Sequence, residues 1–261
     1  LLSRLNSDGE KVSEVMVERF QSKGYNIEIW QLNAAEYGVP QIRERIFIVG
    51  NLYCKDIGKP LTTHYIEKEI SRTTRSAITV GQAIGDLPEI HAGEGSEVQD
   101  YTLQPTNEFQ FWARADSTEV YNHIAMKHTQ RLIERFKVMQ KGKTISDVPD
   151  AFQVRKRNGK GELSGVRYSS NYRHLKDEMI SFTIPASFYS NFIHPFYPRN
   201  ITAREAARLQ SFPDWYEFKG QRTLVSSKLL KRLGKESQDH LSQYNQIGNA
   251  VPPLLAMNIA K

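Results

Sequence analysis

The tightest constraint in this sequence is a short apolar run, Ile46-Phe47-Ile48-Val49, set directly behind the charged segment Gln41-Ile42-Arg43-Glu44-Arg45. The longest purely apolar stretches of the chain are of this size, far below the roughly 18 residues needed to cross a bilayer, and between a loop holding Gly38 and Pro40 and the closing Gly50 this one reads as a short buried strand. Upstream, residues 25–31 alternate Ile27 and Ile29 with polar neighbours, the period of another strand. Before that, Asp8 is a good N-cap, Val12, Val15, Met16 and Phe20 share one helical stripe, and Gly24 stands just past the end. This pattern predicts an amphipathic helix over 9–23. Helix, strand, loop, strand is the order of an α/β layer.

At 261 residues the chain is long enough for one to two domains with a sizeable core. Its single cysteine, Cys54, excludes an internal disulfide, and with it a disulfide-built secreted scaffold. The opening Leu1-Leu2-Ser3-Arg4-Leu5 has neither an initiator methionine nor the apolar core of a signal peptide, so the chain is expected to begin inside a larger reading frame. The expected setting is cytoplasmic, with no membrane partner. Thirty-five Lys and Arg against 29 Asp and Glu give a net charge of +6, which is compatible with a polyanionic partner.

From about residue 53 to 197 the pattern breaks into short pieces punctuated by Gly, Pro, Asn and Ser, with one clear helix near 129–140, and is expected to be a second, irregular domain. Within it, residues 151–176 hold Arg155, Lys156, Arg157, Lys160, Arg167, Arg173 and Lys176 against the single acid Glu162, and read as a mobile basic loop. The aromatics Phe182, Phe188, Tyr189, Phe192, Phe196 and Tyr197 are expected to form the core of this smaller domain. Thr202 is placed to cap a helix over 203–210, Glu205 completes a capping box, and Pro213 ends it. Pro252 and Pro253 open a terminal helix.

Two segments carry candidate chemistry. In an extended segment Gln41, Arg43 and Arg45 project to one side, so two guanidinium forks converge where a carbonyl oxygen, carboxylate or phosphate is suited to bind. A surface salt bridge with Glu44 or Glu36 is the structural alternative. In Gln246-Ile247-Gly248-Asn249-Ala250-Val251-Pro252, Gly248 and Asn249 tolerate left-handed backbone just before a Pro-initiated helix, whose amides favour an anionic group; a tight turn without ligand is the alternative. Cys54 beside Lys55 is read as structural rather than nucleophilic. The histidines show no metal-binding spacing, so no metal site is expected, and no nucleophile elbow is present.

Taken in order, three segments resemble the C-terminal half of the DNA cytosine-5 methyltransferase family. Residues 34–50, with Tyr37-Gly38-Val39-Pro40-Gln41-Ile42-Arg43-Glu44-Arg45, resemble the family's Gln-x-Arg-x-Arg motif and its strand. Thr202-Ala203-Arg204-Glu205-Ala206-Ala207-Arg208-Leu209-Gln210-Ser211-Phe212-Pro213-Asp214 is similar to the motif that follows the target recognition domain, with Arg204 and Glu205 as structural residues. Residues 246–252 resemble the closing Gln-Ile-Gly-Asn-Ala-Val-Pro.

The resemblance implies an α/β fold: part of a Rossmann-like S-adenosylmethionine-dependent methyltransferase lobe, with a second, smaller irregular α+β target recognition domain. Residues 1–53 would belong to the catalytic lobe, 54–200 to target recognition, and 201–261 to a hinge helix and closing helix returning to the catalytic lobe. The implied enzyme flips a cytosine out of double-stranded DNA and methylates its C5 in a restriction-modification system of bacterial or phage-like origin, associated with the nucleoid. By the same resemblance Arg45 holds the flipped base, Arg43 and Gln41 support it, and Gly248, Asn249, Ala250 and Val251 border S-adenosylmethionine. The basic residues Arg155, Lys156, Arg157, Lys160, Arg167 and Arg173 would grip DNA.

The family's glycine-rich cofactor loop, Pro-Cys nucleophile and Glu-Asn-Val segment are not found in this chain. The chain is therefore expected to be half of a working enzyme, inactive in isolation, with an N-terminal half present as a separate subunit or as the rest of the same polypeptide. A non-catalytic sequence-specific DNA-binding module and half of an RNA cytosine-5 methyltransferase are the competing readings. The length of the recognition region favours DNA.

Overall fold

A computed structural model describes residues 5, 7–53, 56–66, 75–156, 162–163, 172–186, 188–223, 231–232, 234 and 241–261. Helix α1, Val12–Gln21, starts after Lys11, which supplies no side-chain cap, and not at Asp8. Gly9, at φ +81°, stands between Asp8 and the helix, and this left-handed backbone cannot be part of a right-handed turn. Gly24, at φ +84°, closes the far end as its position predicts. The apolar stripe is only partly used, because Met16 and Phe20 remain exposed.

Strand β1, Asn26–Asn33, pairs antiparallel with β2, Glu44–Asn51, placing Trp30 opposite Phe47 and Leu32 opposite Arg45. One face of this hairpin packs Trp30, Leu32, Phe47 and Val49 against Tyr37, Val39 and the last helix through Leu255 and Ile259. The other face carries Ile29, which is exposed. The turn between the strands is a 3-10 helix, Ala34–Tyr37. Its Asn33 carboxamide oxygen accepts from the amides of both Ala35 and Arg43, which fixes where β2 begins.

The remaining described strands form three more two-stranded sheets: β3 (His64–Tyr65) parallel to β4 (Arg75–Ser76), β5 (Gly95–Asp100) antiparallel to β6 (Glu119–Ile124), and β7 (Arg173–His174) parallel to β8 (Phe192–Ile193). Among the described residues no sheet exceeds two strands, so the multi-stranded parallel sheet expected of a Rossmann-like lobe is not formed by them. Helices α2 (Val80–Ile84), α3 (Glu108–Arg114) and α4 (Gln130–Val138) lie between these strands. Helix α5 (Ala203–Leu209) follows, and α6 (Gln243–Asn249) and α7 (Pro253–Ile259) close the chain. No helix among the described residues is long and apolar enough to cross a membrane.

Helix α5 is the axis of the largest apolar cluster, which joins Ala203, Ala206, Ala207 and Leu209 to α2, α3, Phe188, Phe192, Tyr244 and Ile247. This cluster draws on both sides of residue 200. Of the six aromatics expected to build a separate core, only Phe188 and Phe192 are buried; Phe182, Tyr189 and Phe196 are exposed, and Tyr197 is half-buried. Phe188, in a 3-10 turn over Phe188–Ser190, and Phe192, in β8, reach the cluster around α5, whereas Tyr189 in the same turn faces outward.

The expected capping box holds, with Thr202 Oγ1 accepting from the Glu205 amide and Glu205 Oε2 from the Thr202 amide. Helix α5 also buries its charges in pairs. Arg199 meets Glu205 in a two-pronged contact of 2.9 and 2.7 Å. Arg208 is shared between Asp214, at 2.7 and 2.5 Å, and Asp86, at 2.9 Å. Arg204 donates to the carbonyls of Tyr121, Pro213 and Tyr216. Burial raises the cost of the charged forms, but Arg199 and His194 hold the Glu205 carboxyl well below the usual range. Arg204 and Glu205 are thus packed inside the protein.

Candidate base and cofactor site

The segment Gln41 to Arg45 leaves the 3-10 turn extended and delivers its alternate side chains to very different surroundings. Gln41 is fully buried; its Nε2 donates to Leu209 O at 3.1 Å and to Gln210 Oε1 at 2.7 Å, while its Oε1 accepts from the Ile184 amide at 2.7 Å. Arg43 is 3% exposed and donates through Nη1 to Ile184 O at 3.0 Å and through Nη2 to Gly248 O at 2.9 Å and Ala250 O at 3.3 Å. Both residues therefore clamp backbone. Arg45 alone stands exposed, with Nη1 donating to the Glu44 carbonyl at 2.7 Å.

The convergence expected of the two guanidiniums is partial. Burial, with the neighbouring charge of Arg45 acting in the same direction, lowers the pKa of Arg43 to about 10. The Arg43 Nη1 and Nη2 groups are committed to protein carbonyls, while its buried Nε has no hydrogen-bond partner among the described residues. Arg45 keeps donors free. Neither arginine forms an ion pair with Glu44 or Glu36; the Glu44 carboxylate accepts instead from Gln31 Nε2.

The closing segment differs from its expected form. Gly248 and Asn249 complete the last turn of α6 rather than a left-handed turn. Glycine is required at 248 by close approach, because a Cβ there would sit 2.3 Å from Pro185 O and 2.5 Å from Ala186 Cα. The anion-attracting helix start is also absent: Pro252 and Pro253 carry no amide hydrogen, and the Leu254 amide donates to Ser211 Oγ at 3.2 Å. The corner offers other chemistry. Asn249 and Val251 are exposed, Ala250 is half-buried, and the Gly248 and Ala250 carbonyls are already held by Arg43.

Ser181, Thr183 and Ile184 bind the other side of the arginine loop. The Ile42 amide donates to Ser181 O at 2.8 Å, the Ser181 amide to Pro40 O at 3.1 Å, and Thr183 Oγ1 to Ile42 O at 2.7 Å. Nearby, the Arg173 guanidinium lies 4.1 Å from the centre of the Phe182 ring. Arg155 and Lys156 are exposed, and Lys156 pairs with Glu162 at 3.0 Å. Arg157, Lys160, Arg167 and Cys54 lie outside the described residues. A cavity of about 850 Å³ is lined by His64, Arg75, Trp112 and Asn258 among others and includes neither Arg45 nor residues 248–251.

Sequence reasoning missed Gln210 and Ser211 as parts of this corner. Both stand in the segment quoted for α5, but their partners Gln41, Ile247 and Leu254 are remote in the chain, so no spacing marks them.

A model of the C-5 cytosine-specific DNA methylase family matches residues 3–261. The Type II methyltransferase M.DdeI of Desulfomicrobium norvegicum is 43% identical over 264 residues, covering all of this chain and 60% of that protein. Type II methyltransferase M.AquIB of a Picosynechococcus strain is 32% identical over 145 residues, which is 56% of this chain and 88% of that protein. The crystal structure of a protein described as a DNA modification methyltransferase, encoded within an E. coli prophage, superposes with a TM-score of 0.58 at 22% identity. It covers 95% of this chain and 63% of that one, and supports a shared fold. The chain thus spans about three fifths of the length of M.DdeI.

Proposed function

Because this chain belongs to the C-5 cytosine-specific DNA methylase family, we propose that it supplies the base-facing arginine, one cofactor wall and the recognition region of a DNA cytosine-5 methyltransferase of a Type II restriction-modification system. The observation that carries the reading is the division of labour between two arginines two residues apart: Arg43 is spent on the Gly248 and Ala250 carbonyls, and Arg45 is left exposed beside it.

In this reading the hairpin β1–β2 and helix α7 belong to a Rossmann-like methyltransferase lobe, residues 54–200 read the DNA, and 201–261 return the chain to the lobe. Arg45 donates its forked N–H groups to the carbonyl oxygen of a cytosine flipped from double-stranded DNA, a role suited to a guanidinium that never loses its charge near neutral pH. S-adenosylmethionine supplies the electrophilic methyl group. On this chain the exposed Asn249 carboxamide and the Val251 side chain would border it, an amide and an apolar surface that fit a ligand with polar and apolar ends. Arg173, stacked on Phe182, and Arg155, Lys156, Arg157, Lys160 and Arg167 contact phosphates. Cys54 has no preceding proline, so the attacking thiol is assigned to polypeptide outside these 261 residues.

The discriminating experiment is Arg45→Ala in the complete methyltransferase that contains these residues. The expected result is a fall in kcat of at least about 100-fold with DNA affinity nearly unchanged. A loss confined to affinity would leave a DNA-binding module instead.

A further inference from the structure

The reading above leaves Gln210 without a role, although it is one of the most enclosed polar side chains of the molecule. It sits at the C-terminal end of α5, fully buried. Its Oε1 accepts from Gln41 Nε2 at 2.7 Å, and its Nε2 donates to Ile247 O at 2.8 Å. Gln41 in turn holds the Ile184 amide and Leu209 O. These bonds fix both amide orientations, because turning the Gln210 carboxamide over would face nitrogen to nitrogen and oxygen to oxygen.

Gln41 lies four residues before Arg45, and Ile247 immediately precedes Gly248. One carboxamide therefore joins the loop that presents Arg45 to the end of the helix that presents Asn249. We infer that Gln210 is a positioning residue for methyl transfer: it sets the register between the base-facing arginine and the cofactor wall, without touching either ligand. This rests on the function proposed above. Arg43 links the same two arms at Gly248 and Ala250, so removing Gln210 leaves them joined but free to slip. A displacement of about 1 Å is enough to lower a rate by about 100-fold.

The test is Gln210→Met, which keeps length and removes both hydrogen bonds, in the complete methyltransferase. The expected result is a fall in kcat of about 10- to 100-fold, with KM for DNA within about threefold of the parent. Gln41→Met should reproduce it, and the double substitution should lose no more than the worse single one, because both break the same bridge. Should Gln210→Met not fold, Gln41→Met carries the same kcat measurement. Unchanged kcat in the folded variant, a lowered thermal midpoint with turnover intact, or additive losses in the double variant would each overturn the inference. The parent and Arg45→Ala are assayed alongside: if Arg45→Ala keeps full turnover, it is the proposed function that fails.

Discussion

Arg43 Nη2 donates to the carbonyl oxygen of Gly248 at 2.9 Å, across a sequence separation of 205 residues. This bond fastens the start of β2 to the end of α6, and it sorts the two arginines of the loop into different tasks.

Arg43→Met should therefore act on stability first. It strands the carbonyls of Ile184 and Gly248 in a buried environment, and each loses a charge-assisted partner. A loss of about 2–4 kcal/mol is expected in urea denaturation, whereas the exposed Arg45→Ala should stay within about 0.5 kcal/mol of the parent. Equal losses for both would contradict the division.

Gly248→Ala tests the close approach of α6 to residues 185–186. The added methyl would lie 2.3 Å from Pro185 O, which is backbone and cannot swing away. Overpacking of this kind costs about 1–3 kcal/mol. A midpoint of thermal unfolding equal to that of the parent would show that the contact has slack.

The buried histidines give stability a defined dependence on acid. Burial lowers the pKa of His194 to about 3, with the Glu205 carboxylate opposing and Arg199 reinforcing the shift; burial also lowers that of His123. Their folded values lie below the unfolded value of about 6.5, so the unfolded chain takes up protons first. Stability is complete above about pH 6.5 and declines as pH falls from there toward 3. Between pH 7 and pH 5 one such histidine costs on the order of 1–2 kcal/mol. Denaturant midpoints at the two pH values measure this, and a flat response would argue against neutral buried imidazoles.

In the proposed function the basic stretch grips phosphates, so DNA binding should weaken steeply with salt. Each phosphate neutralised contributes about −0.9 to the slope of log affinity against log salt. Arg173→Ala should reduce the magnitude of the slope by about one unit and weaken unrelated duplexes equally. A slope that does not move places Arg173 away from the phosphates.

Local chemistry was legible in the sequence wherever partners are neighbours. Thr202 and Glu205 are three residues apart, and their capping box follows from spacing alone. The strands flanking the arginine loop follow from apolar period, because a hairpin pairs residues that are close in the chain. The start of α1 is not legible in this way, because a favourable cap at Asp8 says nothing of the left-handed backbone at Gly9.

What the sequence by itself determined was which residue types stand in which order: the strand behind Gln41-Ile42-Arg43-Glu44-Arg45, the capped helix at 203, and the closing glycine and prolines. Only the tertiary structure decided that Arg43 is buried and Arg45 exposed, that Gly248 is needed for contact and not for a turn, and that Gln210 bridges both arms. The reason is physical. Alternation puts Gln41, Arg43 and Arg45 on the same side of a strand, but whether a guanidinium meets water or a carbonyl depends on backbone that arrives from far along the chain, and no local pattern encodes that arrival.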